Sequence, residues 1–121
     1  MQFPQFVGAR RIAPSDFQPE QVPNQGKLTT SSTSQLLIPE RFVGGTGMRR
    51  SIWYVANTDT TNGAWLGLGT PARVGYGLYV GPNNGSFIDS DSQGYFCSQL
   101  EINAIANAGT PALNFFERLV S

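Results

Sequence analysis

Turn-forming residues interrupt this chain at intervals of roughly 8–12 residues, and the stretches between them are short and rich in β-branched and aromatic side chains. Leu36-Leu37-Ile38 ends at Pro39. Ser51-Ile52-Trp53-Tyr54-Val55-Ala56 is the strongest strand signal, and a polar loop closed by Asn62-Gly63 ends it. Ala64-Trp65-Leu66-Gly67-Leu68 returns as its partner, and residues 74–80 read as a further strand punctuated by Gly75 and Gly77. Residues 81–85 turn the chain, Phe87-Ile88 is a short strand, and residues 89–94 form a loop. Residues 95–106 hold one or two strands, residues 107–111 turn again, and residues 112–120 form the last strand. The fold expected from this spacing is all-β: an antiparallel β-sandwich or jelly-roll-like barrel. A short helix over residues 100–108 is the competing local reading, because the alternation there is imperfect.

The first third of the chain differs. Residues 1–33 hold four of the eight prolines, Pro4, Pro14, Pro19 and Pro23. Proline fixes φ, lacks a donor and pushes its predecessor into extended geometry, which disfavours both helix and central strand. Apolar residues nevertheless recur along it: Phe3, Phe6, Val7, Ile12, Phe17 and Val22. Disordered linkers are poor in aromatics, so the segment reads as an extended N-terminal arm lying on its own domain or on a neighbouring subunit. A polar hinge over residues 26–34 is expected to join it to a β-sandwich domain spanning residues 34–121. Phe3, Phe6, Ile12 and Phe17 are the candidate partner-binding anchors, with Arg10 and Arg11 pairing acidic groups on the partner.

At 121 residues the chain fits one domain able to bury about two-thirds of its unfolded surface. Charged residues make up 13%, about half the usual share, and Asn, Gln, Ser and Thr fill the gap. Eight basic residues balance eight acidic ones. Phosphate-gripping proteins carry a basic excess, so no nucleic-acid partner is expected. The pairs Arg10-Arg11 and Arg49-Arg50 are too short for a polybasic segment and read as solvated or interface arginines. No apolar run approaches the roughly 18 residues of a membrane span, so no membrane partner is expected. The opening Met1-Gln2-Phe3-Pro4-Gln5-Phe6 lacks a basic region followed by an apolar one, and no secretory signal is expected. Asn84-Gly85-Ser86 then reads as a turn rather than a glycosylated sequon.

The chain has no histidine and one cysteine. That excludes Ser-His-Asp and Cys-His nucleophile arrangements, imidazole zinc sites and thiolate clusters. Cys97, within Tyr95-Phe96-Cys97, reads as a buried inert thiol. The carboxylates Asp16, Glu20, Glu40, Asp59, Asp89, Asp91, Glu101 and Glu117 carry no recognisable spacing for acid–base work. Asp89-Ser90-Asp91-Ser92-Gln93-Gly94 imitates the start of a calcium loop, but position 12 is Leu100, where a bidentate Glu is needed. Gly67-Leu68-Gly69-Thr70-Pro71-Ala72 imitates a dinucleotide fingerprint, but Pro71 opposes the helix that motif requires. No catalytic residues, cofactor or metal are therefore expected, and the chain reads as a non-enzyme.

Two strands carry apolar residues on both faces. Ile52, Tyr54 and Ala56 share one face while Trp53 and Val55 share the other. Leu113, Phe115 and Leu119 oppose Phe116 and Val120. A half-solvated strand alternates apolar and polar, so both faces are expected to be covered, by another chain in a homo-oligomer or larger assembly or, alternatively, by the arm or the Gly-rich loops of the same subunit. Trp53, Trp65, Tyr76, Tyr79 and Tyr95 are candidates for an exposed sugar platform, with Trp53 the one expected in the core.

The order of these features resembles small β-sandwich structural proteins of bacteriophage virions. The resemblance runs over residues 49–118: Arg49-Arg50-Ser51-Ile52-Trp53-Tyr54-Val55-Ala56-Asn57, then Ala64-Trp65-Leu66-Gly67, Gly77-Leu78-Tyr79-Val80-Gly81, Gly94-Tyr95, Ala104-Ile105-Ala106 and a last strand with Glu117. It implies a capsid-associated decoration, cement or spike-base subunit with no catalytic residues. Such a subunit would be assembled in the host cytoplasm and bound to other virion or capsid proteins. The alternative expectation is a carbohydrate- or receptor-binding module of a phage fibre or spike, with Trp65, Tyr76 and Tyr79 as a platform for a host glycan.

Overall fold

The computed structural model describes residues 21–41 and 47–120. Eight strands run in chain order: β1 (Gln21–Thr29), β2 (Gln35–Ile38), β3 (Arg49–Asn57), β4 (Ala64–Leu68), β5 (Leu78–Val80), β6 (Gly85–Ser90), β7 (Ile102–Ala106) and β8 (Ala112–Val120). Among the described residues there is no helix, and residues 102–106, weighed as helical, form β7.

Two four-stranded sheets form, in the orders β1-β8-β3-β6 and β2-β7-β4-β5. Every pairing is antiparallel. The pairs are nested: β4 with β5, β3 with β6, β2 with β7 and β1 with β8. Pairing of β3 with β8 and of β4 with β7 completes each sheet. An eight-stranded antiparallel ribbon wrapped in this way is a jelly roll.

The core lies between the sheets. Trp53, Val55 and Leu113 enter it from the first sheet, and Ile38, Ala64, Leu66, Val80, Ile102 and Ala104 from the second. Trp53 is fully buried and tilts against Phe87, with ring centroids 5.2 Å apart. Burying an indole removes roughly 150–250 Å² from water, on the order of 5 kcal/mol of gross stabilisation.

β1 revises the expected domain boundary. Residues 21–29, expected in the arm and its hinge, pair along their whole length with β8. The sandwich therefore includes Gln21–Thr29 and does not begin at residue 34. Pro23 is tolerated because β1 is an edge strand, where a missing N–H leaves no neighbour unbonded. Gly26 does not mark a hinge. The Phe115 ring of β8 lies across it, and a Cβ there would come within 2.8 Å of that ring.

Two expected strand stretches are strand only at their C-terminal ends, Leu78–Val80 (β5) and Ile102–Ala106 (β7). Residues 69–77 fold back over the second sheet: Asn103 Nδ2 donates to Thr70 O at 2.8 Å, and the Ala72 N–H donates to Ser34 Oγ at 2.8 Å. Residues 91–101 carry an isolated bridge between Ser92 and Tyr95 and no continuous strand. Residues 81–85 do turn the chain, with Asn83 and Asn84 at φ 59° and 68°. Asn tolerates that left-handed geometry better than most residues.

Candidate functional site

Phe3, Phe6, Arg10, Arg11, Ile12 and Phe17, the anchors expected from the sequence, lie outside the described residues. The described chain offers three other arrangements in which polar or exposed groups converge.

The first is a buried ionic cluster at the Arg49 end of β3. A bulge between Arg50 and Ile52 turns Arg50 inward, opposite Leu119 of β8. The Arg50 and Glu117 side chains are both fully buried, and Arg50 Nε donates to Glu117 Oε1 at 2.9 Å. Arg50 Nη1 donates to Ser98 O at 2.7 Å and Leu100 O at 3.2 Å, and Nη2 to Pro39 O at 2.8 Å. Glu117 also accepts from Arg41, by way of its Nε and Nη2, and from Asn24 Nδ2 at 2.9 Å. Burial pushes the Glu117 carboxyl up, but hydrogen bonds from Arg41, Arg50 and Asn24 outweigh it and hold the group below the usual carboxylate range. Every buried polar atom of the cluster has a partner within the protein, so the cluster binds strands to loops. Arg50 is therefore not the solvated or interface arginine expected from the Arg49-Arg50 pair, but a fully buried one. Its partner lies 67 residues away, where local pattern gives no hint of it.

The second is the loop that imitates a calcium site. Its carboxylates face hydrogen-bond donors. Asp89 Oδ2 accepts from Trp53 Nε1 and from the Ser98 N–H, both at 3.0 Å, and Oδ1 accepts from the Tyr95 hydroxyl at 2.9 Å. Asp91 Oδ1 accepts from the Cys97 N–H at 3.0 Å, and Oδ2 from Arg49 at 2.6 Å. Burial raises the Asp91 carboxyl, but the Cys97 N–H and Arg49 together bring it below its ordinary value. The two aspartates organise residues 92–98. Cys97 is buried beside them and donates its thiol to Arg50 O at 3.3 Å. Burial first, and then the Asp91 and Asp89 charges, push that thiol up to about 11, so little nucleophilic thiolate forms near neutrality. Gln99 braces the same corner, its side-chain amide bonding both the N–H and the C=O of Arg50.

The third comprises the outer faces of the two sheets. On the first sheet Tyr54 pairs with Ile88 on one side and Phe116 on the other. Ile52 lies two residues along on the same face. Ile88 is 59% exposed, while Ile52, Tyr54 and Phe116 are half-buried. Arg118 stands over the Phe116 ring. On the second sheet Trp65 pairs with Tyr79 and with Ile105. The Trp65 and Tyr79 ring centroids lie 4.9 Å apart, and Trp65 Nε1 donates to Asn107 Oδ1 at 3.0 Å.

Of the proposed platform residues, Trp65 and Tyr79 are thus brought side by side. Tyr76 sits in the loop over the sheet, its ring stacked with Arg73 at 4.2 Å. Tyr95 is held by Asp89 near the opposite end of the molecule's first sheet. Trp53 is in the core, as expected.

No model of a known protein family matches the chain, and no curated protein matches its sequence.

Proposed function

We propose that this chain is a non-enzymatic structural subunit of a virion, a capsid-associated decoration, cement or spike-base protein that works by protein–protein assembly. The observation that carries this reading is the apolar outer face of the first sheet. Ile52, Tyr54, Ile88 and Phe116 form a contiguous group on the face opposite the core. Apolar surface of this kind on a sheet marks a contact surface. In this reading the face belongs to a homo-oligomeric or subunit–capsid contact. Residues 1–20, with Phe3, Phe6, Ile12 and Phe17 as anchors, add a docking arm that buries its apolar groups on a neighbour.

Two further points support it. The jelly roll is an architecture of viral capsid domains, although lectins and cupins share it, so the fold alone selects no function. The described carboxylates that converge, Asp89, Asp91 and Glu117, are engaged by structural donors and not arranged around a substrate-sized opening.

Light scattering on the full chain, on a chain lacking residues 1–20, and on Ile88→Lys tests the proposal. The truncation stops short of β1 and leaves the sandwich complete. The full chain is expected to be oligomeric, and both changes to lower its mass toward the monomer. A full chain that stays monomeric at every concentration and does not co-sediment with capsid shells would remove the reading.

A further inference from the structure

We propose that the outer face of the second sheet is a binding site for a neutral oligosaccharide. The inference is independent of the assembly reading, which rests on the other sheet.

The site is built from three strands. Tyr79, Trp65 and Ile105 stand in one cross-strand row of β5, β4 and β7. Ala64 and Leu66, the neighbours of Trp65, are fully buried in the core, so alternation turns Trp65 to the outside. Tyr79 is 49% exposed. Its ring lies over Gly63, where a Cβ would come within 2.3 Å of the hydroxyl oxygen. Glycine at that position lets the ring lie flat against the chain. The indole orientation is set by its hydrogen bond to Asn107, which leaves the Asn107 amide nitrogen unpaired among the described residues.

The row lies between two raised borders. On one side the 69–77 loop is strapped to the sheet through Asn103 and Ser34. The Arg73–Tyr76 stack helps line a cavity of about 610 Å³ there. On the other side the tips at residues 57–63 and 107–110 meet: the Asn107 N–H donates to Gly63 O at 2.9 Å, and Gly109 lies against the Asn62 side chain. The floor is therefore aromatic and aliphatic, and this border carries side-chain amides and a single carboxylate, Asp59, which is turned onto its own loop by accepting the Thr61 and Asn62 N–H.

That combination fits a sugar. A pyranose presents an apolar face of C–H groups that lies on an aromatic ring, and equatorial hydroxyls that bond amides at the edge. The row has no carboxylate or cation in its floor, and the two charges at its borders are opposite in sign and each engaged, Asp59 by its own loop and Arg73 by the Tyr76 ring, which makes the expected glycan neutral.

The two tryptophans make the test specific. Indole N–H and side-chain amide resonances of ¹⁵N-labelled protein are followed during titration with maltohexaose, cellohexaose and chitohexaose. The Trp65 indole and the Asn107 amide are expected to shift saturably with at least one of these probes, while the buried Trp53 indole stays in place. Trp65→Leu and Tyr79→Leu each keep an apolar strand residue and lose the ring. Each is expected to weaken binding about tenfold or more, the ~1.4 kcal/mol typical of one aromatic contact. An unmoved Trp53 resonance in those variants shows that the fold is kept. Absence of a saturable shift with all three probes overturns the proposal. So does binding that survives both variants, or a response only to a sulfated polysaccharide.

Discussion

Glu117→Gln is the sharpest probe of how this fold is held. The substitution keeps the volume of the side chain and removes its charge. In the native protein Glu117 is fully buried and answers a fully buried Arg50 and a partly exposed Arg41. Removing the carboxylate leaves the Arg50 guanidinium in the interior with three backbone carbonyls and no counter-charge. Breaking a buried pair at one partner costs about 3–5 kcal/mol. The amide oxygen of Gln still accepts one hydrogen bond, which places the loss near the lower end, about 3 kcal/mol. With a urea slope of about 1.5 kcal/mol per M, the unfolding midpoint falls by about 2 M. The pH dependence follows with a definite sign. The folded Glu117 carboxyl is depressed below its ordinary value of 4.5, so its stabilisation is present above that pH and is lost as the pH falls through the lower folded value. Urea melts of the two proteins from neutral pH down to acid should therefore converge. A midpoint shift corresponding to less than about 1 kcal/mol at neutral pH would refute the reasoning, because an uncompensated buried charge cannot be that cheap.

Two other outcomes can be checked directly. Cys97 should react with a thiol reagent at pH 8 far more slowly in the native protein than in urea, since its thiol is buried and titrates near 11; equal rates would place the residue at the surface. Asp91→Asn should cost roughly 1.5–3 kcal/mol, the range for hydrogen bonds to a charged group, and should speed amide hydrogen exchange at Cys97; unchanged exchange there would mean the loop is held by something other than the aspartate.

Much of the sandwich was legible because its strands carry their own signals. Residues 51–56 and 112–120 are dense in β-branched and aromatic side chains, and Asn62-Gly63 and Asn107-Ala108-Gly109 stop the chain where turns occur. What was not legible depends on partners distant in sequence. β1 looks unlike a strand because it contains Pro23 and Gly26, and only its place at the sheet edge, with the Phe115 ring over Gly26, makes it one. Residues 74–77 and 95–101 are apolar enough for strands, yet bonds such as Ala72 to Ser34 and Ser98 to Asp89 draw these stretches away from any ladder. The site followed the same division. Trp53 could be assigned to the core from its mid-strand position, whereas the juxtaposition of Trp65 with Tyr79 required the β4–β5 pairing. The arginine pair at 49–50 split into a half-buried residue bound to Asp91 and a fully buried one bound to Glu117, a distinction made by a bulge that no local pattern announces.

The nested pairing has a consequence for how the chain finds this shape. Among the described strands only β4 and β5 are neighbours in sequence that also pair; β1 and β8 join residues at opposite ends of the described chain, Gln21 with Val120. Formed in isolation, that outermost contact would have to close the whole chain at once, and loop-closure entropy together with high contact order makes such a step slow. Formed after the inner pairs, it closes only the short connections that remain, because each completed pair brings the next two strands to the same edge. The order of assembly favoured by entropy is thus from the middle outward, like a zip closed from its centre, with the aromatic Trp65–Tyr79 pair at the first tooth and the two ends of the sandwich meeting last.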